Sequence, residues 1–318
     1  MICKTWVFKG TGLWIAASLL LFTACGGSEK KTVMDTPTSG HIKMESDDSY
    51  QLLTDAELFT FESLYADAKI DPFYKNETDI FNDFLKDSVR CIIVNRQLTK
   101  NEEQFLNSQQ IIPRSLKIAY DAIALIVNRK NPDTNFFFDR IADIFKGKIS
   151  RWDQIHPGSK LGEISVVFDN FKSGNPRYFR EKFNMDKLPG NCYAVNNNDE
   201  VINFVEKHMN VIGVISVNWI SDKADTVSQH FLQKITVAGI SSPGTIDPNT
   251  SFYRPYQAYI KLGTYPFTRE VYCINRETYA GLGYGFTSFV AGPQGQLIVL
   301  HSGLVPATMP VRIVEIKH

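Results

Sequence analysis

The chain has 318 residues, 43% of them apolar and 21% charged, with 34 Lys and Arg balancing 34 Asp and Glu to a formal net charge of zero. This is globular composition, long enough for a substantial core and roughly two domain-sized units, and it excludes a disordered or low-complexity chain. A neutral chain also lacks the concentrated Lys and Arg of general nucleic-acid binders, so no nucleic-acid partner is expected and any charged ligand must be held locally.

Residues 1–24 read as a signal peptide, with Lys4 and Lys9 ahead of an apolar stretch, Leu13 to Phe22, that is short for a transmembrane helix. The segment ends in Leu21-Phe22-Thr23-Ala24-Cys25-Gly26-Gly27, which resembles the lipobox of bacterial lipoproteins, with Phe22 where Leu is more usual. That resemblance implies lipidation at Cys25 and an extracytoplasmic protein, periplasmic or at the cell surface, anchored to a bacterial membrane. Without residues 1–24, 294 residues with a formal charge of −2 remain. Residues 25–40 are small and polar, as expected of a flexible tether.

Beyond residue 40, helical periodicity predicts helices over 50–67, 76–86, 99–108, 139–147, 175–184, 197–208 and 282–301. Strands are expected over 90–94, 122–127, 164–168, 212–216, 235–239, 270–275 and 311–316. The alternation predicts a parallel-rich α/β architecture with its ligand at the carboxyl ends of strands. The stretch 239–265, rich in Pro, Gly, Ser and Tyr, reads as a helix-poor connection between units. No fixed-period repeat is visible, which argues against a solenoid or propeller.

The most specific segment runs from Asp121 to Pro132, a buried strand closing in Val127-Asn128-Arg129-Lys130-Asn131-Pro132, and continues through Ile144-Phe145-Lys146-Gly147-Lys148-Ile149-Ser150-Arg151-Trp152. Further along stand Ser173-Gly174-Asn175-Pro176-Arg177, then Val211-Ile212-Gly213-Val214, then Tyr265-Pro266-Phe267-Thr268-Arg269-Glu270-Val271-Tyr272, and finally Phe289 with Gly292-Pro293-Gln294-Gly295-Gln296. In this order the segments resemble the phosphate ABC transporter substrate-binding protein family, PstS-like, over nearly the whole body. The resemblance implies a periplasmic-binding-protein type II fold: two α/β lobes with a ligand cleft and two hinge crossings near 122–128 and 258–268. Lobe 1 would be discontinuous, residues 41–122 and 265–318, and lobe 2 would be 128–255. It implies capture of inorganic phosphate or a similar oxyanion, delivery to an ABC permease, no enzymatic activity, no cofactor, and a monomer.

Phosphate is small and strongly hydrated, so a binding site must replace its water with many donors, and helix N-termini supply them. Ser173, Gly174 and Asn175 offer a hydroxyl, a close approach and an amide at a helix start, and Arg177 in the first turn can add a fork. A plain N-cap explains the same residues equally well, and the family resemblance favours the ligand. By that resemblance Asp48, Ser49 and Tyr50 form a second helix start at the anion, and Asn95 and Arg96 close a strand at the cleft. A carboxylate beside an anion repels it unless it accepts a proton from it, so Asp47 or Asp48 can select protonated phosphate over sulfate; for Asp47 a helix cap facing solvent is the favoured reading. The family commonly has an Arg before the Ser-Gly loop, where this chain has Phe168, so either Arg96, Arg177 or Lys172 compensates, or affinity and ligand differ.

Other signals are weak. No HExxH, Gly-x-Ser-x-Gly or Walker pattern is present, and the six His are scattered. Cys91, Cys192 and Cys273 form no legible disulfide framework or metal site, and Cys91 and Cys273 read as small hydrophobes in apolar runs. Two alternatives stay open: a surface-exposed binding or sensor module with another ligand, and an enzyme acting on a phosphorylated small molecule.

Overall fold

The structure, a computed structural model, describes residues 34–221, 226–247 and 249–311; the signal segment, Cys25, most of the tether and all but Val311 of the strand expected at 311–316 lie outside them. The first part holds β1 (Gly40–Asp47), α1 (Gln51–Leu64), β2 (Ala68–Lys75), α2 (Glu77–Leu85), β3 (Cys91–Val94), α3 (Lys100–Ser108) and the long β4 (Arg114–Asn128). Then come β5 (Asn135–Phe136), α4 (Phe138–Phe145), β6 (Ser165–Phe168), α5 (Gly174–Lys182), β7 (Cys192–Ala194), α6 (Asn198–Lys207) and β8 (Val211–Ser216). The chain continues through α7 (Asn218–Ser221), α8 (Thr226–Lys234), β9 (Ile235–Val237), β10 (Gly239–Ser241), β11 (Phe252–Tyr253) and α9 (Gln257–Lys261). It closes with β12 (Thr268–Asn275), α10 (Leu282–Ala291), α11 (Pro293–His301) and β13 (Val305–Pro306).

Local chemistry sets these boundaries. Thr99 and Glu102 form a reciprocal capping box at the start of α3, and the Asn76 and Asn197 side chains accept backbone N–H groups at the starts of α2 and α6. The single helix expected over 282–301 is two: Gly292 is extended and Pro293, which has no N–H to give, opens α11. The strand expected over 122–127 already begins at Arg114, because exposed Ser115, Leu116 and half-buried Lys117 blur the apolar signal of its first turns. The connection at 239–265 carries β10, β11 and α9, so it is more ordered than its composition implies.

The main sheet has the order β2-β1-β3-β12-β4-β8-β6-β7, with β13 and β9 also pairing β4. Its flanks are parallel, as expected of α/β units, but its centre is not: β12 runs antiparallel to β3 and β4, and β4 antiparallel to β8. This corrects the parallel-rich expectation. The first part of β4 pairs β12 from Arg114 to Ala122, and its last part pairs β8 from Ile123 to Val127. At the change of partner, Ile123 N–H donates to the Phe267 carbonyl at 2.8 Å and Val217 N–H to the Ala122 carbonyl at 2.9 Å, so the backbone groups of β4 at the switch stay paired.

The apolar core follows β4, whose residues Ile118, Ala119 and Ala122 to Val127 are fully buried. Behind β6, Phe145 stacks on Phe179 with centroids 4.1 Å apart, and Phe168 meets both. Trp152 is fully buried with its indole N–H on the Asn210 carbonyl at 3.0 Å, which fixes the loop that follows α4. Cys91 and Cys273 face each other with free thiols 3.5 Å apart, and Cys192 is also buried and free. Among the described residues, no helix is long and apolar enough to cross a membrane, and no group of three or more His, Cys, Asp or Glu could hold a metal ion.

Candidate functional site

Two helix starts converge beside the change of partner in β4. The first is the tight 3-10 turn Asp48–Tyr50 at the end of β1, where the Asp47 carboxylate accepts the Ser49 N–H at 2.9 Å. The second is α5, capped by Ser173, whose hydroxyl accepts the Asn175 N–H at 3.3 Å and donates to Asp169 at 2.8 Å. A Cβ on Gly174 would lie 2.2 Å from the Asn95 amide nitrogen, so Asn95 from the end of β3 rests directly on this helix start. The structure thus gathers Ser49, Tyr50, Asn95, Ser173, Gly174 and Asn175, all buried, into one cluster.

The cation at the centre is Arg269, on β12. It is 6% exposed, donates Nε to Asp121 Oδ2 at 2.8 Å and Nη1 to Asn175 Oδ1 at 2.8 Å, and lies over the Tyr50 ring at 5.5 Å. Asp121, on β4, is itself fixed by the Ser216 hydroxyl at 3.0 and 3.1 Å and the Tyr50 hydroxyl at 3.2 Å. Arg269 Nη2, Ser49 Oγ, Asn198 Oδ1 and Asn218 Nδ2 are buried polar atoms with no hydrogen-bond partner. Three of these, Arg269 Nη2, Ser49 Oγ and Asn218 Nδ2, can donate; buried donors without partners are costly, and donors beside a fixed arginine are the chemistry an oxyanion needs.

The carboxylates are the unusual part. Burial pushes Asp47 up to about 7, with Asp169 and Glu77 adding repulsion and Arg269 opposing it. Burial likewise pushes Asp169 up to about 6, against the hydrogen bonds from Ser173 and Asn175. Asp48 is also raised by burial, opposed by Asn198, whose N–H and side-chain amide donate to it at 3.2 and 2.8 Å. Asp47 caps its turn as expected, but it does not face solvent: it is fully buried, because Asn95 Nδ2 covers its other oxygen at 3.2 Å.

Arg96 and Arg177 flank this centre without touching Arg269, and Arg177 reaches it through Asn95. Arg96 stacks on Phe81, 3.4 Å from the ring centroid, and makes a two-bond fork with Glu102 at 2.8 and 2.9 Å. Arg177 makes a fork with Glu77 at 2.6 and 2.9 Å, a bond to Glu181 at 2.8 Å, and one to Asn95 Oδ1 at 2.5 Å. Lys172 reaches Asp79 at 3.4 Å on the surface. Each of these three is therefore held by a carboxylate; Phe168 is committed to the aromatic core, and Arg269 on β12 is ion-paired with Asp121. The sequence signal was present in Tyr265-Pro266-Phe267-Thr268-Arg269, but a charge inside an apolar strand shows its value only once Asp121 is known to face it. A cavity of about 350 Å³ opens beside Asp48 and Asp169, lined by Tyr74, Lys75, Asn76 and Asn197 among others.

A mixed sheet threaded by one long strand, with two helix starts and a buried arginine at its centre, is the architecture of a periplasmic-binding-protein type II fold. The chain belongs to the PBP superfamily, whose domain model matches residues 32–294. It is similar to the phosphate-binding protein PstS of Staphylococcus epidermidis, 22% identical over 270 residues that cover 85% of this chain and 78% of that protein. PstS of Staphylococcus saprophyticus is 24% identical over 290 residues, covering 90% of this chain and 85% of the relative. Among solved structures, a putative phosphate ABC transporter substrate-binding protein with bound phosphate from Clostridium perfringens matches with a TM-score of 0.69 and 21% identity, over 84% of this chain and all of that one.

Proposed function

We propose that the chain captures inorganic phosphate, or a similar oxyanion, between two lobes and delivers it to an ABC permease, without making or breaking a bond. The single observation that carries this is Arg269: a buried guanidinium, fixed by Asp121 and Asn175, with Nη2 unpartnered. Ser49 Oγ, the backbone N–H groups at the start of α5, and Asn95 complete the donor set. Asp47 and Asp169, whose pKa values are near neutral, suit a ligand that still carries a proton, since an ionised carboxylate can accept it and a protonated one can donate. Lobe 1 is taken as 41–122 with 265–318 and lobe 2 as 128–255; the exchange of partners along β4 between Ala122 and Ile123 supports that division. Lipidation at Cys25 would hold the protein at the outer side of a bacterial membrane, with residues 25–40 as its tether.

The test is thermal unfolding of the purified chain, freed of carried-over ligand, with phosphate, sulfate, molybdate and phosphonates. A ligand at about 100 times its Kd stabilises by about 2.7 kcal/mol. Absence of any shift with every oxyanion refutes capture.

A further inference from the structure

Capture by Arg269 leaves one arrangement in the cleft unused. Glu77 opens α2 with its side chain 5% exposed, and it takes both teeth of the Arg177 fork, Nε on Oε1 at 2.6 Å and Nη2 on Oε2 at 2.9 Å. Arg96 Nε approaches the same Oε1 at 3.5 Å. One carboxylate therefore bridges two arginines, in the paired geometry that two oxygens of a phosphate would adopt. The bridge also spans the cleft, since α2 packs on the β1 and β3 side of the sheet and α5 on the β8 side. Beside it, Thr78 N–H and hydroxyl donate to the Lys172 carbonyl at 3.2 and 3.0 Å, so the two sides are drawn together at this point.

The bridge is continuous with the anion cluster. Asn95 accepts from Arg177 and donates to Asp47, and the charge of Glu77 acts on Asp47. Around Glu77 the other charged groups are Glu102 on Arg96 and Glu181 on Arg177, so both arginines are already offset. Around Asp47 stand Arg269, Asp169 and Tyr50, with Asp121 behind. A ligand with two negative charges would then meet one guanidinium already shared with Asp121, whereas the two further arginines are spent.

We propose that Glu77 is a specificity-determining residue: by holding Arg96 and Arg177 it sets the cleft for an oxyanion with one negative charge rather than two. This rests on the capture reading above. Sulfate, doubly charged across the neutral range, is the natural counter-probe to phosphate, which changes from one charge to two near neutrality.

The experiment is calorimetric titration of the purified chain with inorganic phosphate and with sulfate, from about pH 5 to about pH 8.5, for the wild type, Glu77→Gln, Asp47→Asn and the double variant. The wild type is expected to bind phosphate more weakly as pH rises and to reject sulfate. Glu77→Gln is expected to improve the sulfate-to-phosphate affinity ratio by about tenfold and to flatten the phosphate profile, with or without Asp47. The ratio is the readout because a looser closed form lowers both affinities alike. If phosphate binds and the ratio and slope of Glu77→Gln match the wild type, Glu77 does not set the charge. If the wild type binds neither phosphate nor sulfate, this inference fails, whereas capture fails only if molybdate and phosphonates also leave the chain unstabilised.

Discussion

Arg269→Lys tests the centre of the site, because it keeps the charge and removes the fork. The guanidinium spans Asp121 and Asn175, each at 2.8 Å, and has Nη2 to spare. A lysine ends in one ammonium on a flexible stem, which can stay with Asp121 but cannot also reach Asn175 and a ligand. A hydrogen bond to a charged group is worth about 1.5–3 kcal/mol, so losing the one directed at the ligand costs about 2 kcal/mol, or about thirtyfold in Kd for phosphate. Stability should fall less, by about 1–2 kcal/mol, because Asp121 keeps Ser216, Tyr50 and a cation. Arg269→Met is the contrast: it strands a buried carboxylate and should cost about 3–5 kcal/mol of stability. Calorimetric titration with phosphate and urea unfolding separate the two quantities. If Arg269→Lys binds phosphate within about threefold of wild type while losing stability, Arg269 is a structural ion-pair partner and the placement of the ligand is wrong.

Three further outcomes follow from the same geometry. Glu57 in α1 is fully buried with both oxygens unpartnered, and burial pushes its pKa up to about 9. The folded state therefore keeps a proton that the unfolded chain releases above about pH 4.5, and stability falls as pH rises through that window. Glu57→Met should stabilise by about 3 kcal/mol at about pH 7 and by almost nothing near pH 4.5, read by urea melts at both; a gain independent of pH contradicts this. Arg96→Ala loses the Phe81 stack and the Glu102 fork, so it should cost about 1–2 kcal/mol of stability and change phosphate affinity less than about threefold; a loss of binding would return Arg96 to the site. Gly174→Ala drives a methyl into Asn95 and should weaken phosphate about tenfold with folding stability within about 1 kcal/mol, an expectation that unchanged calorimetric affinity would defeat.

Seven helical segments were legible because their apolar stripes and caps are local, whereas α7, α8 and α9 were not. Residues 76–86 and 99–108 needed only Asn76 and Thr99 in front of a periodic run, and both side chains do cap. The Ser173-Gly174-Asn175 turn was legible for the same reason, and Ser173 caps the helix that follows it. What local pattern could not give was pairing across the chain. Arg96 and Arg177 read in sequence as charges beside ordered elements, yet each has a carboxylate partner, and Glu77 lies 100 positions away from Arg177. Arg269 and Asp121 were hidden inside apolar strands, where each is tolerable only because the other faces it. β1 is not legible in the sequence because Glu45, Ser46 and Asp47 are buried polar residues at its end, the reverse of the usual strand pattern.

The passage of β4 through the middle of the sheet also governs how the molecule can be made. Its partners on one side lie at 212–216 and on the other at 268–275, so a growing chain that has emerged only to about residue 210 carries a long apolar strand with neither edge paired. Such an edge is a template for association with other chains, and contacts of this sequence separation form slowly. Neither side of the sheet can be cut away without stripping β4 of a neighbour, so truncated fragments should aggregate rather than fold. Both edges of β4 are covered only once the strand at Thr268–Asn275 has been synthesised.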